Sequence, residues 1–141
     1  MAARGSAEWQ GDLKSGRGTF RAGDDITGDY SYKSRFEGGE GANPEQLIGA
    51  AHAACFSMAL SNILAEAGSP PDSVQTQARV TLRVVDDAPT ITNIDLTTVG
   101  RVPGIDEAAF REHAQAAKEG CPVSRALAGV PDVTLDASLE A

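Results

Sequence analysis

Apolar and polar positions along the chain fall into distinct periodicities. Residues 18–22 and 29–36 read as strands; in the second, Tyr30, Tyr32, Ser34 and Phe36 share one face while Lys33 and Arg35 share the other. The glycines at 38, 39 and 41 end that strand. Asn43-Pro44-Glu45-Gln46 is a helix start, because Asn caps, Pro fits the first helical position and Gln three residues after the cap completes a capping box. The helix over 47–65 is apolar nearly all round, which predicts a buried central helix, and Gly68, Pro70 and Pro71 stop it. Residues 74–84 then alternate as a half-buried strand, Asp86 to Pro89 turn the chain, and 90–99 return with Ile94, Leu96 and Thr98 on one side. Asp106 caps a helix through Lys118 with a stripe of Phe110, His113, Ala114 and Ala117. A short helix follows from Pro122 to Ala128, and a last strand over 133–139 closes the chain. Strands, long helix, hairpin, helix pair and strand in that order predict an α+β fold with antiparallel sheets around the long helix.

Composition narrows the class. The 141 residues suit a single domain spanning 1–141, and a hydrophobic share of 41% is enough for an ordinary core, which argues against disorder. Twelve Lys and Arg against twenty Asp and Glu leave a net charge of −8, which repels phosphate backbones and anionic membrane surfaces, so no nucleic-acid or membrane partner is expected. His52, Ser57, Ser61 and Asn62 interrupt the apolar helix, which argues against its spanning a membrane. Residues 1–9 hold no apolar run of the kind a secretory signal needs, and the expected location is the cytoplasm.

Two cysteines are too few for a disulfide scaffold and too far apart for a Cys-x-x-Cys motif. Cys55, mid-helix among alanines, reads either as a small core residue or as a reactive thiol that needs a cation from elsewhere, since apolar burial raises a thiol pKa. His52 lies three residues earlier on the same face, and as a lone histidine reads first as a hydrogen-bonded core group; Arg35, Arg79, Arg83 and Arg125 are the distant cations. Cys121, in Gly120-Cys-Pro-Val-Ser124, sits at a helix start, where backbone N–H groups favour a thiolate; its bland reading is junction packing. His52, Cys55, His113 and Cys121 equal a zinc ligand count but lack the paired short spacings, and dinucleotide, phosphate-loop and serine-hydrolase motifs are missing. No metal and no resident cofactor are expected.

The run Arg35-Phe-Glu-Gly38, the block from Asn43 through His52-Ala-Ala-Cys55 to Leu60, then Val102-Pro-Gly-Ile105 and Gly120-Cys-Pro-Val-Ser124, in that order, closely resembles the osmotically inducible protein C (OsmC) family, whose sister group is the organic hydroperoxide resistance proteins. The resemblance implies an intertwined α+β homodimer with the central helices buried, active sites at the subunit interface, and thiol peroxidase activity. It matches Cys55 to the peroxidatic cysteine, Cys121 to the resolving one, Arg35 to the arginine that activates the thiolate, and Glu45 to the carboxylate that orients it. To His52 it lends only packing or support.

That assignment is chemically coherent. One guanidinium both lowers a thiol pKa and supports the departing alkoxide, and a carboxylate can fix its direction through a bidentate pair. Glu45 and Cys55, ten residues apart, are about 15 Å apart along a helix, so Arg35 has to bridge from the sheet. Cys55 oxidised to a sulfenic acid condenses with Cys121 to a disulfide, which an external dithiol, of lipoyl type by family likeness, resets. Phe56, Met58 and Leu60 are the candidate lining for an organic hydroperoxide substrate. The competing readings are a non-catalytic redox-sensing or ligand-binding dimer and a zinc-stabilised structural domain.

Overall fold

The structure, a computed structural model, describes residues 1–140. Two compact units divide the chain, one over 1–47 and one over 48–141. The first contains strands β1 (Gly5–Gln10), β2 (Arg17–Ala22) and β3 (Ile26–Tyr30), the short helix α1 (Tyr32–Phe36) and the first turn of the long helix α2 (Pro44–Glu66). The second contains the rest of α2, the hairpin β4 (Ser73–Val85) and β5 (Ala88–Arg101), helices α3 (Glu107–Gly120) and α4 (Pro122–Ala126), and strand β6 (Asp132–Leu139).

In the first unit β1, β2 and β3 form an antiparallel meander. Its register sets Gly18 between Trp9 and Tyr30, and the two rings close over the bare glycine, 5.4 Å apart between centroids. β1 is absent from the sequence reading because Ala7 and Trp9 are its only apolar side chains and it is an exposed edge strand. The expected strand over 29–36 is the larger error. The extended chain stops at Tyr30, and 32–36 is helical. Ser31 and Ser34 form a capping box, each side chain taking the other's backbone N–H, at 3.1 and 2.8 Å. Tyr32 and Phe36 fit both periodicities, since a spacing of four puts them on one face of a strand and also one above the other on a helix, where their tilted rings lie 4.9 Å apart between centroids. The cap decides between the two.

The second unit has the strand order β4-β5-β6. β4 and β5 pair antiparallel through the two-residue turn Asp86-Asp87, both with positive φ, as a tight hairpin turn requires. β6, however, pairs parallel to β5, so this sheet is mixed where antiparallel pairing was expected. The chain between them runs through α3 and α4, a connection long enough to return the strand in the same direction. A bulge at Thr81/Leu82 breaks the alternation of β4, and Val84 beyond it is exposed.

The core of this unit is built by Phe56, Leu60 and Leu64 of α2, Ile94 and Leu96 of β5, Phe110, Ala114 and Ala117 of α3, and Ala137 of β6. Burial of α2 is one-sided: Ala50, Ala51, Ala54 and Met58 are exposed, Met58 at 76%. An all-round apolar helix therefore has one face in the core and one face uncovered within a single chain. Phe56 and Leu60 are sealed in the core and do not share a face with Met58, so these three do not line one open pocket.

Gly100 of β5 lets α3 approach, since a Cβ there would fall into the ring of Phe110. Gly100→Ala should destabilise the fold by about 1–3 kcal/mol, the usual cost of overpacking, as read by denaturant unfolding. An unchanged midpoint would show that the Phe110 ring is free to move aside.

Candidate active site

Within the first unit, α1 and the start of α2 are tied together by the side chains of Ser34 and Asn43, which bond to backbone atoms. Ser34 Oγ lies 2.7 Å from the Ala42 carbonyl, Asn43 Nδ2 donates to the Ser34 carbonyl at 3.0 Å, and Asn43 Oδ1 accepts from Gln46 N at 2.8 Å, so Asn43 caps α2 as expected. This frame brings Arg35 to Glu45. Arg35 Nη2 donates to Glu45 Oε1 at 2.7 Å, and Nε donates to the two carboxylate oxygens at 3.1 and 3.3 Å. Glu45 is buried while the Arg35 side chain keeps 36% exposure. The pair therefore holds the planar guanidinium in a fixed direction while leaving much of it open. The arginine comes from a helix, where a strand had been expected.

Within the second unit, the stripe of α3 runs from Phe110 through Ala114 and Ala117 to Cys121, which ends α3 and caps α4. Its Sγ accepts the Ser124 backbone N–H at 3.3 Å, and its thiol donates to Ser124 Oγ at 3.1 Å. On α2, Cys55 packs against the same cluster. Both cysteines are free thiols that belong to the same packed cluster, near enough for Cys121 to affect the Cys55 thiol. Burial pushes the Cys55 thiol pKa up, the Val123 backbone N–H opposes this, and the neighbouring Cys121 adds to the rise. A reactive Cys55 thus needs a cation, as its surroundings favour the neutral thiol.

His52 is fully buried on the same face of α2, and its Nε2 lies 2.7 Å from Ser124 Oγ. Its Nδ1 has no hydrogen-bond partner among the described residues. Burial lowers the His52 pKa from its ordinary value of 6.5, so the ring is neutral at neutral pH. An orphaned buried ring nitrogen costs about 1–3 kcal/mol, which a plain packing residue would not incur.

Residues 37–136 match the family described as OsmC-like protein, a span that includes Glu45, Cys55 and Cys121 and begins just after Arg35. The chain is 49% identical over 139 residues to peroxiredoxin OsmC of Escherichia coli, covering 97% of this chain and 96% of that one. The chain belongs to the OsmC family. It is also 37% identical over 100 residues to the organic hydroperoxide resistance protein OhrB of Bacillus subtilis, covering 71% of this chain and 72% of that one. The fold is shared with an organic hydroperoxide resistance protein from Elizabethkingia anophelis, at a TM-score of 0.77, 21% identity and 99% coverage of both chains.

In this OsmC-family chain the sequence-derived residues fall into two pairs, Arg35 with Glu45 in one unit and Cys55 with Cys121 in the other. Arg79, Arg83 and Arg125, which spacing had left open as cations, are all exposed. Ser124 had no assigned role, although Cys121-x-x-Ser124 has the same spacing of three as His52-x-x-Cys55. What joins the two motifs is a hydrogen bond across 72 residues of chain, which no local pattern announces.

The sign of the His52 shift yields a stability test. The unfolded ring takes up a proton as the pH falls through 6.5, whereas the folded ring resists until its lower pKa is reached, so stability should decline with falling pH in that window and then level off. Thermal unfolding of the wild type and His52→Gln from about pH 5 to about pH 8 measures this, and the variant should lose that part of the slope.

Proposed function

We propose that this chain is a cysteine-based hydroperoxide reductase in which Cys55 is oxidised, Cys121 resolves, and the Arg35–Glu45 pair activates. The observation that carries the reading is the juxtaposition of two free thiols, one on the central helix and one at a helix junction, in a chain nearly half identical to a peroxiredoxin. The Cys55 thiolate attacks the distal oxygen of the hydroperoxide, and the O–O bond breaks. The alkoxide leaves, takes a proton to become an alcohol, and Cys55 is left as a sulfenic acid. Arg35 lowers the thiol pKa and stabilises the alkoxide, and Glu45 holds the guanidinium for both tasks. Cys121 then closes a disulfide with release of water. A dithiol of lipoyl type, itself oxidised to a disulfide, returns both cysteines to thiols, with no metal or resident cofactor taking part.

The working unit of this proposal is a homodimer. The uncovered face of α2, with Ala50, Ala51, Ala54 and Met58, is apolar, and its alanines let a second helix approach closely. Organic hydroperoxides are the expected substrates, with hydrogen peroxide reduced more slowly, and a reducing cytoplasm suits thiols that must be reset after each cycle. The net charge of −8 favours neither nucleic acid nor an anionic membrane as a partner.

Peroxide turnover with dihydrolipoamide tests the reading. Cys55→Ser should abolish turnover, and full activity in that variant overturns the mechanism. Cys121→Ser should still be oxidised at Cys55 but should recycle poorly. Arg35→Lys should lower the rate of Cys55 oxidation by about a hundred-fold, the scale on which loss of a preorganised donor is felt. Relative rates with cumene hydroperoxide and hydrogen peroxide read the substrate preference.

A further inference from the structure

The chemistry above uses the cysteines, Arg35 and Glu45, and leaves one problem open. Cys121 must attack as a thiolate, yet it is only 1% exposed, so bulk water is poorly placed to take its proton. The groups in hydrogen-bond contact with its sulfur are the hydroxyl and the backbone N–H of Ser124. Ser124 Oγ in turn lies 2.7 Å from the buried His52 Nε2.

We propose that Ser124 and His52 form a proton relay that deprotonates Cys121 for its attack on the Cys55 sulfenic acid. This rests on the reading of Cys55 and Cys121 as the peroxidatic and resolving cysteines. The Cys121 thiol donates to Ser124 Oγ, which leaves the single serine hydrogen to point at His52 Nε2. That nitrogen is then the acceptor and Nδ1 carries the ring proton. Transfer along the chain moves the thiol proton to Ser124 and the serine proton to Nε2. Afterwards His52 donates to Ser124 and Ser124 donates to the thiolate across the same heavy-atom positions, so nothing larger than hydrogen has to move. The Ser124 backbone N–H, 3.3 Å from Sγ, stabilises the charge that appears there.

The step balances. An electron pair of the Cys121 thiolate forms the S–S bond, and the S–O bond of the Cys55 sulfenic acid breaks with its pair leaving on hydroxide. The imidazolium of the fully buried His52 passes its extra proton back through Ser124 to the departing hydroxide, which leaves as water. One sulfenic acid and one thiol thus give one disulfide and one water, with the Cys55 sulfur reduced and the Cys121 sulfur oxidised. Ser124 touches the reacting sulfur and is a catalytic residue of this step, whereas His52 acts through Ser124.

The test follows the two oxidation events separately after one equivalent of cumene hydroperoxide, with sulfenic acid trapped by dimedone and disulfide read by loss of free thiol. Ser124→Ala should lower the ratio of disulfide formation to sulfenic acid formation by about ten-fold or more, on the scale of general-base catalysis, and Ser124→Thr, which keeps the hydroxyl, should restore it. His52→Gln should slow the same step, and the double variant should be no slower than either single one, since both break one chain. In the wild type the disulfide step should show a normal solvent deuterium isotope effect that disappears in Ser124→Ala, a readout that a purely structural role would not move. This measurement on the wild type needs no variant to fold. An unchanged ratio in Ser124→Ala, or the absence of the isotope effect in the wild type, overturns the relay while Cys55 oxidation stands. Failure of Cys55 to form sulfenic acid at all overturns the peroxidase reading, and the relay with it.

Discussion

Packing of one face of α2 against β5 and α3 is the interaction on which the thiol cluster depends. Phe56, Leu60 and Leu64 from the helix meet Ile94 and Leu96 from the sheet and Phe110, Ala114 and Ala117 from α3. Each large side chain buried there contributes about 1.5–3 kcal/mol. His52 stands one turn before Phe56 on that face, Cys55 directly precedes Phe56, and Cys121 stands one turn after Ala117 on the stripe of α3. The contact that forms the core thereby delivers both sulfurs and the histidine to one place. The proposed thiol site and the stability of the fold share the same packing, so substitutions that loosen Phe110 or Phe56 should be felt at the thiols even though both rings lie outside the proposed chemistry.

The polar groups are arranged so that charge is met where it is needed. Apolar burial alone keeps Cys55 in its neutral form, and the Val123 N–H offsets only part of that effect. Arg35 is prepared differently. Its guanidinium is held by a buried carboxylate and stays partly exposed, so its positive charge remains available to a second anion. A lysine would carry the charge but could not keep the direction that the Arg35–Glu45 fork imposes.

Much of the fold was legible in the sequence wherever one periodicity dominated. The α2 start at Asn43-Pro44, the β4–β5 hairpin and the Phe110–Ala117 stripe of α3 lie where pattern and capping place them. The reading failed where two periodicities coincided or where pattern is silent. Tyr32 and Phe36 satisfy a strand and a helix equally, and only the Ser31–Ser34 box separates them. The parallel pairing of β6 depends on the crossover through α3 and α4, and hydrophobic alternation does not encode strand direction. At the site, Cys55, Cys121 and Arg35 stood out as candidates from the residues themselves, while Glu45 and the roles proposed for all four rest on family likeness. Ser124 did not stand out, because its significance lies in two contacts to residues that sequence distance hides.

The two polar clusters also differ in how far along the chain their members are drawn. Arg35 and Glu45 are ten residues apart, joined by a short loop whose own serine and asparagine contacts shape it, whereas His52 and Ser124 are separated by 72 residues. Closing the longer segment carries the larger entropic cost and waits on the β4–β5–β6 sheet and both intervening helices. The ion pair can therefore assemble locally while the chain is still being made, but the thiols meet only when nearly all of the sequence is in hand. Until then Cys55 and Cys121 are separate, solvent-accessible thiols without their partners. A sulfenic acid formed on Cys55 before the fold closes would therefore lack Cys121 beside it and would meet further oxidant unresolved.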